Sequence, residues 1–480
     1  MTTMKILFVS AEVYPFAKRG GLADVVGSLP KILAEYGHDV RVVMPAYRSV
    51  EDAYQSGKWS ITATDVRLSV PIENTTVESG VFESVIPGSE VPVYFIAKGD
   101  LLGRPEIYGY DDDAYRFSYF SRAALQLAVE ALDWRPDVVH AHDWHTAPTV
   151  TWLATAGTAD DRYKNIPTLF TIHNLAHQGK TDWHIFDYLQ IYSHSLEEEP
   201  YGRVNFMARA IYHASKVNTV SPTYAQEITT RQGGADLDGL LRYRKSDLSG
   251  ILNGLDYDVW NAAIDGKLEQ NYTADTLHLR AANKAALQRM VGLPERSDVP
   301  VISMISRLDW QKGLDLMGEV VHRLLEGQAG EAQFVLLGSG EAEYEEMFAQ
   351  FVRRFPDKAS ATLAYRADLA PLIYAGSDMF LMPSLFEPCG LGQLISMRYG
   401  CIPIVRATGG LADTVWDAQT GFVFDGYDSG AFWHAVQRAM YTYNTDPDYW
   451  QTMVRQAMQQ DFSWYRSARD YERLYQEMAG

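Results

Sequence analysis

Cysteine is scarce in this chain of 480 residues, which contains only Cys389 and Cys401. Two cysteines build no disulfide framework, and their separation matches no common zinc site. Long apolar runs are also missing, since none approaches the roughly 20 residues that a membrane-spanning helix needs. The sequence therefore excludes a small disulfide-stapled protein and a helical membrane protein.

Positive charge is in deficit as well, because 42 Lys and Arg residues stand against 61 Asp and Glu residues. The formal net charge of -19 argues against a nucleic-acid surface, which needs clustered cations to contact phosphates. A secretory signal is not expected, since the apolar run Lys5–Val9 is soon interrupted by Glu12 and Lys18. We therefore expect a soluble, cytoplasmic protein with no nucleic-acid or membrane partner.

Apolar, strand-like runs alternate with amphipathic, helix-like segments along most of the chain. The first βαβ unit is predicted as a strand at Lys5–Val9, a helix over 22–36 that stops at Gly37, and a strand over 40–44. Further strands are predicted at 91–96, 137–140, Thr168–Ile172, 216–220, 301–306, 334–337, 362–364, Met379–Met382 and 403–405. Such alternation is typical of mainly parallel sheets covered on both faces, so the predicted fold class is α/β.

The alternation breaks in a turn-rich, irregular region that starts at Leu252-Asn253-Gly254 and continues to Leu293-Pro294. We therefore predict two Rossmann-like, doubly wound domains, over 1–250 and 251–461. The final segment, 462–480, contains a long periodic helix over 465–478. We expect this helix to pack back on the first domain.

One short phrase is written twice, as GGLADVV at 20–26 and as GGLADTV at 409–415. Each copy follows a strand-like run and opens a helix-like segment. Paired glycines let the backbone pass close to a ligand, and the N–H groups of a first helical turn attract anions. One copy in each half predicts two nucleotide-fold domains whose loops face a shared central cleft.

Two cations follow a predicted strand of the second domain. Arg307 comes directly after the strand over 301–306, and Lys312 lies just before a helix that begins near Leu314. Ligands bind at the carboxyl ends of parallel strands, and an Arg fork with a Lys point charge suits a diphosphate. The alternative is a solvated pair beside a helix start, although cations are disfavoured at that end of a helix.

A carboxylate follows another strand of the same domain. The strand Met379–Met382 leads into PSLFEPCGLGQ at 383–393, where Gly390 and Gly392 open a helix. Glu387 either accepts hydrogen bonds from sugar hydroxyls or caps this helix. The residues alone leave both interpretations open.

Together these motifs resemble those of bacterial and plant glycogen/starch synthases, which are two-domain GT-B glycosyltransferases that use a nucleotide-glucose. The resemblance extends over essentially the whole chain and rests on KRGGLADV, HAHDWH, TIHNLAHQG, LNGLD, SRLDWQKGLDL, FEPCGLGQL and RATGGLADTV. It implies transfer of glucose from ADP-glucose to the non-reducing end of an α-1,4-glucan, with retention of configuration and without a metal cofactor.

The resemblance also implies roles for individual residues. Arg307 and Lys312 grip the diphosphate, Glu387 orients the glucose, and Tyr365 stacks on the nucleotide base. Asp143 and His173 lie on the acceptor side, and His173 joins the two cations and Glu387 as a catalytic residue. The full set of implied donor-binding residues is Lys18, Gly21, Asn253, Arg307, Lys312, Tyr365, Glu387, Gly390, Leu391, Thr408 and Gly409.

Several positions depart from the family pattern. Arg19 replaces a small residue of the first loop, so its charge either tightens donor binding or points to solvent. Leu385 stands where many members have Arg, and Gly392 where many have Asn or Thr. Related retaining enzymes with a Glu-x7-Glu motif would have a second Glu where Ile395 stands, which favours the glycogen synthase branch.

Three other patterns have rival interpretations. HAHDWH at 140–145 resembles the metal motif of metallo-β-lactamases, but its Asp lies one place too early, and a structural role for the imidazoles is the other reading. The acidic runs at 111–113 and 197–199 are expected to be solvated surface, and the Asp-x-Asp in the first is a weak metal signal. LGSG at 337–340 lacks the third glycine of a dinucleotide fingerprint, so we expect it to serve a turn.

No side chain is an obvious covalent nucleophile. We therefore expect front-face attack by the acceptor's 4-hydroxyl as the diphosphate leaves and takes the proton. A synthase that uses UDP-glucose and a non-catalytic glucan-binding relative are the alternatives. No motif for pyridoxal phosphate is present, which argues against a phosphorylase.

Overall fold

A computed structural model of the chain describes residues 3–191, 203–364 and 366–479. The chain forms two compact units, an N-terminal unit of Met1–Gly254 with Trp464–Gly480 and a C-terminal unit of Leu255–Ser463. The divisions thus fall after Gly254 and after Ser463, where the predicted ones fall at 250 and 461. Within the described residues, no helix combines the length and the apolar character needed to cross a bilayer.

The sheet of the N-terminal unit has nine strands among the described residues, in the order β11-β10-β7-β6-β1-β2-β5-β4-β3. All neighbours are parallel except the β3–β4 and β4–β5 pairs at one edge. A separate antiparallel pair is formed by β8 and β9. The strands of this unit are β1 Lys5–Val9, β2 Asp39–Pro45, β3 Thr62–Ile72, β4 Thr75–Val85, β5 Pro92–Ala97, β6 Val138–His142, β7 Thr168–Ile172, β8 Lys180–Asp182, β9 Arg203–Asn205, β10 Lys216–Thr219 and β11 Leu248–Gly250.

Helices cover both faces of this sheet. The central parallel strands are buried because each face packs against helices, which is why they read as short, nearly continuous apolar runs. One face carries α1, α2 and the last helix, and the other carries α3, α4 and α6. The helices of the unit are α1 Gly21–Glu35, α2 Arg48–Ser56, α3 Asp113–Gln126, α4 Asp143–Ala154, α5 His184–Tyr188, α6 Phe206–His213, α7 Pro222–Glu227 and α8 Asp238–Tyr243, with α17 Trp464–Ala479 at the end of the chain.

The C-terminal unit has a parallel sheet in the order β14-β13-β12-β15-β16-β17. Its strands are β12 Val301–Ile305, β13 Gln333–Leu337, β14 Ala359–Thr362, β15 Met379–Met382, β16 Ile402–Arg406 and β17 Phe422–Phe424. Its helices are α9 Arg280–Met290, α10 Leu314–Leu325, α11 Ala342–Arg354, α12 Ala370–Gly376, α13 Gly392–Arg398, α14 Gly409–Thr414, α15 Ser429–Thr445 and α16 Pro447–Met458.

Strand order in both sheets reverses at one point. When the strands of the C-terminal unit are numbered along the chain, their order in the sheet is 3-2-1-4-5-6. The parallel strands of the N-terminal sheet, numbered in the same way, have the order 3-2-1-4-5-6-7. The reversal lies between β1 and β6 in one unit and between β12 and β15 in the other. In open α/β sheets ligands bind beyond the carboxyl ends of the strands at such a switch point. The predicted GT-B architecture of two Rossmann-like units is therefore present.

The last helix completes the N-terminal unit. Trp464, Ala468, Tyr471 and Tyr475 of α17 are buried in the same apolar core as the inner face of α1. The Nδ1 atom of His140 in β6 lies 2.8 Å from the Tyr475 hydroxyl. The segment thus packs against α1 and β6 of the unit that begins the chain.

The predicted elements differ from the structure in several places, and the short strands β8, β9, β11 and β17 are not predicted at all. The strand predicted over 362–364 lies at Ala359–Thr362 instead, where its side chains are mostly half-exposed and give no apolar signal. No strand is predicted between 44 and 91, yet β3 and β4 form a long antiparallel hairpin there. The hairpin lies at one edge of the sheet, with β3 as the edge strand, and both strands carry many exposed polar residues, so they lack the apolar run that marks the parallel strands.

Candidate active site

In the C-terminal unit, the loops after β12 and β15 hold each other in place. The backbone N–H of Leu385 donates to the Gln311 carbonyl at 2.9 Å, and the Gln311 side chain donates to the Phe386 carbonyl at 3.2 Å. Gly313 has a φ of 70°, and a Cβ atom there would lie 2.1 Å from the Pro383 carbonyl oxygen. Only glycine permits this approach, so the two loops at the switch point form one packed structure.

The predicted Lys312 and Glu387 meet in this structure. Lys312 Nζ lies 2.7 Å from Glu387 Oε2, and the side chains are 16% and 8% exposed. The Ser384 hydroxyl donates to the same carboxylate oxygen at 2.9 Å. A largely buried ion pair keeps its geometry because both partners are desolvated and hydrogen-bonded. Sequence reasoning missed Ser384, although it lies only three residues before Glu387.

Glu387 does not cap the helix that follows it. The N-cap of α13 is Leu391, and no side chain makes a capping hydrogen bond there. The hydrogen bonds from Lys312 and Ser384 both go to Oε2 of Glu387, so Oε1 is left without a partner among the described residues. The capping alternative is thus wrong, and an oxygen remains available for a sugar hydroxyl.

Arg307 lies at the same strand end but is differently disposed. Its side chain is 57% exposed, and its guanidinium lies 3.2 Å from Asp309 Oδ2. The other oxygen of Asp309 accepts from the Gln311 N–H at 3.1 Å, which fixes the short helical turn that carries Lys312. An exposed guanidinium held by one surface carboxylate can turn to an arriving anion at small cost.

The second glycine pair makes room for protein backbone. Gly409 has a φ of 45°, and a Cβ atom at this position would lie 2.0 Å from the Glu387 carbonyl oxygen. A Cβ atom at Gly410 would lie 2.0 Å from the Cys389 carbonyl oxygen. The Gly410 N–H donates to the Glu387 carbonyl at 3.1 Å. This N–H is therefore not free to bind an anion, contrary to the prediction. The pair therefore seats the loop that carries Glu387 against the start of α14.

The first glycine loop is held by Glu12, a carboxylate for which no role at the site is predicted. Glu12 follows β1 and is buried, and its Oε2 accepts from the N–H groups of Arg19 and Gly20. Its Oε1 accepts from the Tyr108 hydroxyl. The position of Glu12 just after a strand at the switch point is the signal that would have identified it.

The charged residues of this loop point in different directions. Lys18 Nζ pairs with Asp24 Oδ1 at 2.6 Å, and Gly21 is the first residue of α1. The Arg19 side chain is 68% exposed and lies 3.6 Å from Glu106. Of the two interpretations of Arg19, the structure therefore favours the one in which its charge points to solvent.

Asp143 connects the ends of two neighbouring strands. It begins α4 directly after β6 with a φ of 56°, a conformation uncommon for residues other than glycine. Its Oδ1 accepts from the backbone N–H of His173 at 2.7 Å and of Asn174 at 3.4 Å, just beyond β7. Burial raises the pKa of this carboxyl to about 7, even though these bonds favour the charged form.

Because its pKa is raised, Asp143 lowers the stability of the folded protein as the pH increases. An unfolded carboxyl loses its proton near pH 3.9, whereas the folded one keeps it to about pH 7, so stability falls as the pH rises between these values. Asp143→Asn keeps an Oδ1 acceptor for both N–H groups but does not titrate. We expect the variant to gain about 1–3 kcal/mol over wild type between about pH 5 and pH 8, as measured by urea unfolding. An equal difference at both pH values would contradict the assignment.

His173 directly follows β7 in the same unit and is buried. Its Nε2 is 3.0 Å from Nδ1 of His142, the last residue of β6. Burial lowers the pKa of His173 to about 3. The ring is therefore neutral near pH 7, which leaves positioning rather than charge as its contribution.

The histidine motif at 140–145 serves the protein structure. His140 bonds Tyr475 and Thr171, and the ring of His145 stacks on Tyr108 with centroids 4.4 Å apart. Among the residues that the structure describes, no group of three or more His, Cys, Asp or Glu side chains is arranged to hold a metal ion.

The first acidic run is less exposed than predicted. Arg104 pairs with Asp112, and the buried Arg116 pairs with Asp113 at 2.6 Å. The expectation of solvated surface is wrong for Asp113, because the carboxylate is needed to neutralise a buried guanidinium. The second run, 197–199, lies outside the described residues.

The remaining predicted residues are distributed as follows. Asn253 follows β11, is buried, and its Oδ1 has no partner among the described residues. Gly390 has a φ of 73°, and Thr408 precedes α14 as its N-cap residue. Tyr365 lies outside the described residues. In LGSG, Cβ atoms at the two glycines would clash with the backbone that follows β12, which agrees with a turn.

Comparison with known proteins identifies the family of the chain. The family model for the starch synthase catalytic domain matches residues 5–243, and that for glycosyl transferases group 1 matches residues 289–452. Glycogen synthase of Thermotoga maritima is 44% identical over 99% of this chain and 99% of its own length. Glycogen synthase of Moorella thermoacetica is also 44% identical, over 99% of this chain and 96% of its own.

Two solved structures of glycosyltransferases are similar to this chain. The catalytic domain of starch synthase IV from Arabidopsis thaliana, bound to ADP and acarbose, aligns over 100% of both chains with a TM-score of 0.91 and 36% identity. Sucrose-phosphate synthase from Thermosynechococcus elongatus aligns over 99% of both chains with a TM-score of 0.61 and 18% identity, which shows the shared fold alone. The resemblance predicted from the motifs is confirmed, and the chain belongs to the glycogen and starch synthase family of GT-B glycosyltransferases.

Proposed function

We propose that this enzyme transfers glucose from ADP-glucose to the non-reducing end of an α-1,4-glucan, with retention of configuration and release of ADP. The observation that carries the proposal is the Lys312–Glu387 pair at the switch point of the C-terminal sheet. A cation for the departing diphosphate and a carboxylate for the sugar lie there side by side. The relative from Arabidopsis thaliana, solved with ADP bound, supports ADP as the nucleotide.

The C-terminal unit would hold the donor. The chemical problem is departure of a nucleoside diphosphate from the anomeric carbon, which leaves an oxocarbenium-like sugar. Lys312 and Arg307 stabilise the charge that grows on the diphosphate, and they do so without a metal ion. Glu387 accepts from the glucose hydroxyls through Oε1, while Lys312 and Ser384 hold Oε2. Tyr365 would stack on the base, with Gly390, Leu391, Thr408 and Gly409 lining the phosphates and sugar.

The N-terminal unit would hold the acceptor and contact the donor through Lys18 and Gly21. Asp143 and His173 contact the glucan, and the buried, unpartnered Oδ1 of Asn253 accepts a hydrogen bond from the donor. The acceptor's 4-hydroxyl attacks from the face that the diphosphate leaves, and its proton passes to a diphosphate oxygen. We further propose a cytoplasmic location with no nucleic-acid partner, which the net charge of -19 supports.

The proposal is tested by incubating the protein with glycogen and either ADP-glucose or UDP-glucose, each with and without EDTA. We expect glucan extension and ADP release from ADP-glucose at rates that EDTA leaves unchanged. Activity that EDTA abolishes would contradict the metal-free mechanism. Extension from UDP-glucose alone would overturn the donor, and no transfer by the folded protein from either donor would favour a non-catalytic glucan-binding relative.

A further inference from the structure

The hydrogen bond between His142 and His173 has a direction that its surroundings determine. The bond joins His142 Nδ1 to His173 Nε2, and the ring centroids are 5.3 Å apart. Within the described residues, the ring of His173 makes this one hydrogen bond, through Nε2. The second ring nitrogen, His173 Nδ1, is therefore the one left for a substrate.

Both rings are neutral. Burial lowers the pKa of His173 to about 3 and holds the pKa of His142 well below its ordinary value. A neutral imidazole carries one proton, so one of the two rings donates in this bond and the other accepts. Each ring has only two tautomers, which leaves two arrangements to compare.

The free nitrogen of His142 decides between them. His142 Nε2 is buried and has no hydrogen-bond partner within the part of the chain that the structure describes. If His173 donated, the proton of His142 would lie on this nitrogen, as a buried N–H without an acceptor. If His142 donates from Nδ1, only a lone pair is left unpaired. Buried N–H groups without an acceptor are rarer in proteins than buried acceptor atoms without a donor. His142 is therefore the donor.

The tautomer of the neighbouring His140 is also determined by its hydrogen bonds, none of which involves His173. The Thr171 hydroxyl donates to Asn218 Oδ1, so the Thr171 oxygen accepts from His140 Nε2–H at 2.6 Å. The Tyr475 hydroxyl then donates to His140 Nδ1 at 2.8 Å. His140 is thus the Nε2–H tautomer and makes no hydrogen bond to His173. It offers a matched control in the same strand, two residues before His142.

We propose that His142 is a positioning residue, which holds His173 in the Nδ1–H tautomer so that His173 presents a hydrogen-bond donor to a sugar oxygen. This inference rests on the proposed function for its substrate, and it assigns His142 a role beyond the packing of β6. In this state His173 has no lone pair at Nδ1, so it does not remove a proton from the acceptor. That agrees with transfer of the proton to the diphosphate.

The matched substitutions are His142→Phe and His140→Phe, which replace one buried imidazole each by a ring of similar size. We expect His142→Phe to lower kcat by about 10–100-fold with KM values within about twofold, the range for losing an orienting partner. His142→Asn, which has an N–H near the position of Nδ1, should restore most of the activity. His140→Phe should lower the melting temperature as His142→Phe does but leave kcat within about threefold.

The tautomer itself is read from the wild-type enzyme by 15N NMR of histidine-labelled protein at about pH 7. The expected spectrum has His173 protonated on Nδ1, and in His142→Phe this preference is lost. A wild-type His173 protonated on Nε2 would overturn the inference, as would equal loss of kcat in the two Phe variants. The spectrum needs no substrate, so failure of the proposed donor or acceptor is distinguished by the transfer assay on wild type.

Discussion

Replacing Lys312 by alanine is expected to lower kcat by about 10²–10³, the range for losing one preorganised group that stabilises transition-state charge. The Nζ atom lies 2.7 Å from Glu387, so the substitution removes the cation that we propose for the diphosphate and a partner of the carboxylate that we propose for the sugar. The measurement is the rate of ADP release at saturating donor and glycogen. A loss below threefold in a folded variant would remove Lys312 from this role.

The same substitution is also expected to lower stability. Glu387 would stay largely buried with only the Ser384 hydroxyl bonded to its carboxylate. Leaving one member of a buried pair uncompensated costs about 3–5 kcal/mol, and partial exposure of Lys312 reduces this to about 2–4 kcal/mol. Urea unfolding of the variant measures the loss.

Two further variants separate the catalytic loss from the structural one. Arg307→Ala removes an exposed cation, so we expect kcat to fall, as it does in Lys312→Ala, but without a loss of stability. Lys312→Ala combined with Glu387→Gln removes the uncompensated charge, so stability should recover, while kcat should stay below that of Glu387→Gln alone. Recovery of both would show that Lys312 acts only by holding the loop together.

Replacing Gly409 by alanine is expected to destabilise the C-terminal unit by about 2–5 kcal/mol. The φ of 45° costs a residue with a Cβ about 1–2 kcal/mol, and the added atom would lie 2.0 Å from the Glu387 carbonyl oxygen. Since backbone must move to admit it, a further 1–3 kcal/mol is expected, roughly as for overpacking. The melting temperature should fall by about 5–15 °C, which calorimetry measures.

The chain contains its own control for this prediction. Gly20 holds the same place in the first copy of the repeated phrase, but its φ is -144° and no described atom lies within 4 Å of where its Cβ would be. We expect Gly20→Ala to change the melting temperature by less than about 2 °C. Equal effects of the two alanines would contradict the assignment of the cost to the left-handed φ of Gly409 and to its contact with the loop that carries Glu387.

The central sheets could be predicted from the sequence because buried parallel strands leave a plain signal. β1 and β12 lie within a residue of the predicted bounds, since strands covered on both faces are short and almost wholly apolar. The hairpin of β3 and β4 escaped prediction because its strands lie at an edge, where polar residues face solvent. β14 was shifted for the same reason, as half-exposed small residues carry no pattern.

The site could be predicted where function follows a strand end, and not where it depends on contacts across loops. Lys312 and Glu387 are 75 positions apart, yet each follows a strand of the switch point, so their meeting agrees with the rule that suggested them. The bonds of Glu12 to the first glycine loop, and of His142 to His173, join residues that no periodicity relates. Such partners are defined by the tertiary fold, and single-sequence patterns do not reach them.

The position of α17 has a consequence for the order in which the protein is completed. A ribosome releases the strands of the N-terminal unit first, but the helix that fills their last face is made after the whole C-terminal unit. Until then His140 and Asn218 lack the hydroxyls of Tyr475 and Tyr471, and the side chains of α1 that contact α17 stay uncovered on that side. The half that begins the chain is thus the last to be finished during synthesis.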